Sequence, residues 1–225
     1  MSQHFHVLIL GASYGSLLAA KLLIAGHDVH LVCLPAEADA IKRDGIRIRM
    51  PIQGHTDHIE IGATHFIGAV SASGTDGIDP RAFDLVVLAM QEPQYSSPGV
   101  RDLLVAVASS QVPCMSIMNM PPLPYLWRIP GLDCDDLRLC YTDPAVWDGF
   151  NPELMTLCSP DPQAFRPPDE PVNVLQVSLP TNFKAARFAS DAHTDILRQM
   201  QADIEAIRFD TGNELIEHAG ETQGP

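Results

Sequence analysis

The stretch from His6 to Leu34, HVLILGASYGSLLAAKLLIAGHDVHLVCL, constrains the fold more than any other part of the chain. Val7–Leu10 is short and uniformly apolar, as a strand buried on both faces must be. Gly11 to Ser16 is a turn. Leu17, Leu18, Leu22 and Leu23 then recur at helical spacing, and Gly26 stands at a helix C-cap position. Val29–Leu34 resumes an apolar strand. These pieces make a β-α-β unit of nearly minimal length, and the N-terminus of its helix is where a dinucleotide pyrophosphate binds in such units.

The turn departs from the strict dinucleotide fingerprint, which places glycine at three positions. Gly11 takes the first place. Ser13 takes the second and Ser16 the third, with Gly15 one position early. A hydroxyl at Ser13 can donate to a phosphate, so Gly11, Ala12, Ser13, Tyr14, Gly15 and Ser16 are the expected pyrophosphate cradle. A β-α-β unit that never binds nucleotide has the same outline. After the second strand an NAD site usually carries an acid for the ribose 2′-hydroxyl. Here Cys33-Leu34-Pro35 follows, with no acid before Glu37, and Lys42, Arg43, Arg47 and Arg49 come soon after. That basic cluster favours the 2′-phosphate of NADP over NAD and singles out Lys42 or Arg43, unless it is an ordinary solvated helix end.

Composition bounds the rest. A formal charge of −14 over 225 residues argues against nucleic-acid binding. The five cysteines have no C-x-x-C spacing and read as reduced thiols of a cytoplasmic protein. The first residues lead straight into the first strand without the pattern of a signal peptide, so none is expected, and the most apolar helix carries Lys21, so no membrane span is expected either. His55, His58 and His65 lie in and after the Pro51–His58 loop, without the cysteine or carboxylate pattern of a metal site, and no metal is expected.

Further along, Ala36–Asp44 reads as a helix closed by Gly45, and Ile46–Met50 with Ile59–Ile61 as a hairpin. Ser71–Pro80 reads as a turn region. Phe83–Met90 is a second buried strand, expected beside Val7–Leu10, so that Met90, Gln91, Glu92 and Gln94 would face a bound cofactor. Pro98–Ser109 reads as a helix. Pro113–Met118 reads as a strand whose end, Asn119, opens on the same crevice. Met120-Pro-Pro-Leu-Pro-Tyr predicts a stiff turn. Leu137–Tyr141, Leu154–Ser159 and Val172–Leu179 read as strands, Ser159–Pro171 as a loop and Asp191–Ile207 as an amphipathic helix with Ile196, Met200, Ile204 and Ile207 on one face. The fold class is α/β: a Rossmann-like, doubly wound, mainly parallel sheet with helices on both faces. It spans residues 1–210, with 211–225 a tail.

Gly15-Ser-Leu-Leu-Ala-Ala, Ala25-Gly-His-Asp-Val, Ala40-Ile-Lys-Arg-Asp-Gly-Ile-Arg-Ile, Phe83–Met90 and Asn119 together resemble the N-terminal domain of the ketopantoate reductase (2-dehydropantoate 2-reductase) family. The resemblance runs to about Asn119. It implies NADPH binding and hydride transfer to a 2-keto acid, with Asn119 by the nicotinamide and substrate as the catalytic-site residue. Three departures accompany it. The family's Gly-Ala-Gly turn is replaced around Ser13-Tyr14. Gln91 stands where the family usually has Lys. The family's principal catalytic Lys belongs to a C-terminal helical domain, expected to need ~100 further residues and not seen in this sequence; Lys184, the only late Lys, has no matching context and reads as a surface residue. No Tyr-x-x-x-Lys pair supports a short-chain dehydrogenase instead. The implied partners are a small-molecule substrate and either a second copy of the chain, another subunit or a domain beyond Pro225. A non-catalytic nucleotide-binding or interaction module on the same fold is the alternative.

Overall fold

A computed structural model describes residues 3–51, 57–159, 163–179 and 183–207. The opening unit forms as the pattern predicts: β1 (His6–Leu10), α1 (Ala12–Ile24) and β2 (Asp28–Val32). The two strands pair in parallel, His6 opposite Asp28 and Leu10 opposite Val32. Gly26, at φ 94°, turns the chain out of α1 in a conformation that favours glycine. β2 stops two residues short of Leu34 because Leu34 is already the N-cap of α2 (Pro35–Asp44), its N–H held by Glu37 at 2.9 Å.

β3 (Arg47–Met50) and β4 (Ile59–Ile61) pair antiparallel as the expected hairpin arms. β5 (Val70–Ser73) then pairs in parallel with β2, where the sequence predicts only a turn region from Ser71. β6 (Leu85–Leu88) lies inside the predicted Phe83–Met90 strand and pairs with β1 on its other side, Val7 opposite Leu85. α3 (Pro98–Ser110) leads to β7 (Cys114–Ser116). The proline-rich stretch that follows holds one helical turn, α4 (Leu123–Leu126). β8 (Met155–Leu157) closes a six-stranded parallel sheet of order β5-β2-β1-β6-β7-β8. The connections run outward in opposite directions from β1, which leaves a crevice at the C-terminal ends of β1 and β6.

Two predictions along the later chain are corrected. Leu137–Tyr141 is a 3₁₀ turn at Asp136–Cys140; Tyr141 is buried while Leu139 is 87 % exposed, so the alternating apolar residues do not share one buried face. The predicted Ser159–Pro171 loop contains β9 (Gln163–Phe165). The predicted Val172–Leu179 strand forms as β10 (Val174–Leu179), in a second sheet of order β4-β3-β10-β9. Its partners β3 and β9 are distant in sequence, so no local pattern in any one of them announces the pairing. α5 (Asp191–Glu205) buries Thr194, Leu197, Met200 and Ile204, so Leu197 takes the core position and Ile196 only flanks it.

Alternation along β1 divides the core. Val7 and Ile9 join α1, α5 and the second sheet in one cluster, while Leu8 and Leu10 join α3, Tyr95 and Trp147 in the other. All four are fully buried, each contributing about 1.5–3 kcal/mol relative to exposure. Helices on both faces of a parallel sheet make the fold Rossmann-like, as expected. Among the described residues no helix is long and apolar enough to cross a membrane.

Candidate functional site

The crevice between the ends of β1, β2 and β6 has a volume of about 740 Å³. Gly11 forms its floor. Its N–H donates to the Val32 carbonyl at 2.9 Å, and its φ is 111°. A Cβ there would lie 2.5 Å from the Ala89 carbonyl oxygen, so both backbone conformation and space demand glycine. α1 begins directly after it with no side-chain cap. The first-turn residues Ala12, Ser13 and Tyr14 line the crevice, so the uncapped end of the helix, where four N–H groups have no partner in the helix, is presented to it.

The two remaining residues of the predicted cradle do something else. A Cβ on Gly15 would sit 2.5 Å from Ile9 Cγ2 and 3.3 Å from Ala89 Cβ. Gly15 therefore lets α1 lie close on β1 and the end of β6, the packing duty the fingerprint gives to its third glycine. Ser16, expected at that third place, is buried and its hydroxyl donates to the Ala12 carbonyl of its own helix. Neither Gly15 nor Ser16 lines the crevice.

Met90 and Gln91 line the opposite wall, with Gln94 beside them. Gln91 Nε2 donates to Tyr14 Oη at 3.2 Å, and its backbone N–H donates to Gln94 Oε1 at 2.8 Å. Met90 N–H donates to Tyr95 Oη at 3.0 Å, and the buried Tyr95 ring rests 5.4 Å from Trp147. Glu92, expected to face the cofactor, turns away: its carboxylate accepts from the Thr142 N–H and hydroxyl at 2.9 and 2.8 Å. Gly74, Thr75 and Asp76 after β5 and Ser97, Gly99 and Val100 at the start of α3 complete the wall. Gly74, Thr75 and Asp76 are not expected from the sequence because β5 falls across a stretch that reads as a turn region; the Gly-Thr-Asp run after Val70–Ser73 is the available signal.

At the end of β2, Cys33 is ringed by charge. Burial pushes its thiol up to about 12, reinforced by the Glu37 carboxylate and opposed by Arg166 and Lys42. Glu37 lines the crevice, and its carboxylate also pairs with Arg166, which follows β9. Nothing local in the sequence links residues 37 and 166. Lys42 and Arg43 are exposed on the last turn of α2 and do not line the crevice; Arg43 pairs with Asp44 at 2.8 Å. Asn119 is exposed three residues past β7 and also lies off the lining, as does the exposed Lys184. His65 Nδ1 accepts from the Gly62 N–H at 3.2 Å, while His55 lies outside the described residues.

Residues 7–118 match the family model for ketopantoate reductase PanE/ApbA. That segment belongs to the ketopantoate reductase family. The match ends one residue before Asn119. Among solved structures, a protein named as a ketopantoate reductase from Ralstonia solanacearum MolK2 superposes with a TM-score of 0.57 at 15% identity, covering 89% of this chain and 59% of that one. A 2-dehydropantoate 2-reductase by name from Enterococcus faecalis gives 0.54 at 16%, covering 88% and 54%. Another so named, from Bacillus subtilis, gives 0.52 at 20%, covering 86% and 54%. These likenesses are of fold. The chain spans 54–59% of the length of these ketopantoate reductase structures. No match is found among curated proteins.

Proposed function

We propose that the chain is the nucleotide-binding part of an NAD(P)-dependent oxidoreductase of the ketopantoate reductase type, taking NADPH and acting on a 2-keto acid or related carbonyl. The observation that carries this reading is the uncapped N-terminus of α1, which follows Gly11 at φ 111° and lines a crevice of about 740 Å³. The residues present fit a dinucleotide. First-turn amides at Ala12, Ser13 and Tyr14 would hold the pyrophosphate, helped by the Ser13 hydroxyl and the helix dipole. Arg166 and Lys42, both close enough to Cys33 to act on its thiol, favour a 2′-phosphate at the end of β2. Met90 and Gln91 would line the nicotinamide side, with Asn119 beyond them. Bound NADPH supplies the hydride.

A carbonyl acceptor also needs a cation for its carboxylate and a proton donor for its oxygen. Among the described residues, no Lys, Arg or His lines the crevice. The reductase reading therefore requires those groups from a further domain, another subunit or a second copy of the chain. The same observation favours the second reading, a nucleotide-binding module without turnover.

Titration with NADPH and NADH, followed by nucleotide fluorescence, tests the proposal. Saturable binding with NADPH preferred is expected, and a panel of 2-keto acids then separates reductase from module. A folded sample that binds neither nucleotide overturns both readings.

A further inference from the structure

At the other end of the sheet, away from the crevice, three metal-ligating side chains converge. His4 and His6 are two residues apart in extended chain and so share a face, while Phe5 between them is buried in the core. The parallel register of β1 and β2 sets His6 opposite Asp28. Both imidazoles reach the same carboxylate oxygen: His4 Nε2 and His6 Nε2 each lie 3.1 Å from Asp28 Oδ2. The three candidate ligand atoms all fall within 4.8 Å of one another. The sequence pattern predicts no metal ligands, because this set exists only through strand pairing.

We propose that His4, His6 and Asp28 form a binding site for a divalent transition-metal ion of the zinc type. The hydrogen bonding around the three groups supports this. His4 Nδ1 lies 2.7 Å from the Gly26 carbonyl, which can only accept, so Nδ1 carries a proton. In the neutral ring Nε2 then holds a lone pair that faces the Asp28 carboxylate. Two acceptors 3.1 Å apart repel unless a proton or a cation stands between them. A histidine whose second nitrogen donates to a backbone carbonyl is also the usual outer arrangement of a metal ligand. Asp28 is oriented likewise: Oδ1 accepts from the Ala69 N–H at 2.7 Å, leaving Oδ2 to face the imidazoles.

The spacing suits the chemistry. Tetrahedral ligands at about 2.0–2.1 Å from zinc lie roughly 3.3 Å from each other, close to the two 3.1 Å separations. His6 is half-exposed, so its ring can rotate to close the third. Two imidazoles and one carboxylate select Zn²⁺, Co²⁺, Ni²⁺ or Cu²⁺ over Mg²⁺ and Ca²⁺, which take oxygen ligands. Three protein ligands at the solvent-facing end of the sheet leave the remaining positions to water. The ion would tie the segment before β1 to β2 and, through Ala69, to the start of β5. It would therefore act as a clamp at the N-terminal ends of β1 and β2, remote from the proposed nucleotide.

The test is calorimetric titration of the chelator-stripped full chain with Zn²⁺, and optical titration with Co²⁺. One ion per chain is expected, with Co²⁺ giving visible absorption of low-symmetry coordination and Zn²⁺ raising Tm. His4→Ala, His6→Ala and Asp28→Asn should each weaken binding at least tenfold, and His193→Ala should leave it unchanged. The two exposed histidine variants keep the test valid if Asp28→Asn perturbs the turn at Ala69. Absence of Zn²⁺ binding overturns the proposal. So does affinity unchanged in the histidine variants, or equal binding of Mg²⁺; a proton shared between these groups would then account for the contacts.

Discussion

Gln91 Nε2 donates to Tyr14 Oη at 3.2 Å, joining the loop after β6 to the first turn of α1 across the crevice. This one contact links the two walls that a nucleotide must enter between. Because both side chains are partly exposed, it adds little to the fold. We predict that Tyr14→Phe changes stability by less than about 0.5 kcal/mol. Its effect should instead fall on nucleotide affinity, by roughly threefold, the scale of one neutral hydrogen bond. Chemical denaturation and fluorescence titration of the same variant separate the two effects.

The close approach of α1 to β1 at Gly15 makes a sharper prediction. A methyl there meets Ile9 Cγ2 at 2.5 Å, so Gly15→Ala should destabilise by about 1–3 kcal/mol despite the better helix propensity of alanine. Combining it with Ile9→Ala should cost less than the sum of the single changes by more than ~0.5 kcal/mol. A double-mutant cycle measured by denaturant unfolding checks this. At Gly11 the neighbour is the rigid Ala89 carbonyl, and no second substitution should rescue Gly11→Ala.

Lys21 is buried on α1, and burial lowers its ammonium to about 8 from the ordinary 10.5. The unfolded chain therefore holds this proton more tightly than the folded one, and stability rises with pH between about 8 and 10.5. Below that window the folded state carries a destabilising charge of roughly 3 kcal/mol, at ~1.36 kcal/mol per tenfold change. Lys21→Met, similar in volume and uncharged, should stabilise the protein at pH 7 by about 1–3 kcal/mol. The stability difference between wild type and variant should then narrow from pH 8 to 10.5 in paired thermal melts.

Arg166 tests the choice of nucleotide. Its pairing with Glu37 brings a cation from beyond β9 to the rim of the crevice. Arg166→Gln should weaken NADPH by about tenfold, the worth of a charge-assisted hydrogen bond, and NADH by less than about twofold. Equal losses for both nucleotides would show that Arg166 supports the fold of the rim and does not read the 2′-phosphate.

Much of the main sheet was legible because its signals are local. Val7–Leu10, Leu17–Leu23 and Phe83–Met90 announce their own periodicity, and Gly11 and Gly26 mark turns that only glycine makes easily. These features alone determine a β-α-β unit with a nucleotide-type turn. The jobs within that turn were not legible. Ser16 and Gly15 differ by one position on a helix, and only the neighbours Ile9 and Ala89 show which of them packs against the strand.

By itself the sequence determined the parallel core, the helix on each face and the place of the crevice, since hydrophobic period and turn chemistry act within a few residues. Only the tertiary structure decided what stands together across long separations. Strand register brought His4 and His6 to Asp28, β5 extended the sheet beside β2, and the strand Gln163–Phe165 carried Arg166 to Glu37. Such contacts depend on which edges pair and in what register, and that choice is made by the summed burial of both sheets rather than by any segment's own pattern.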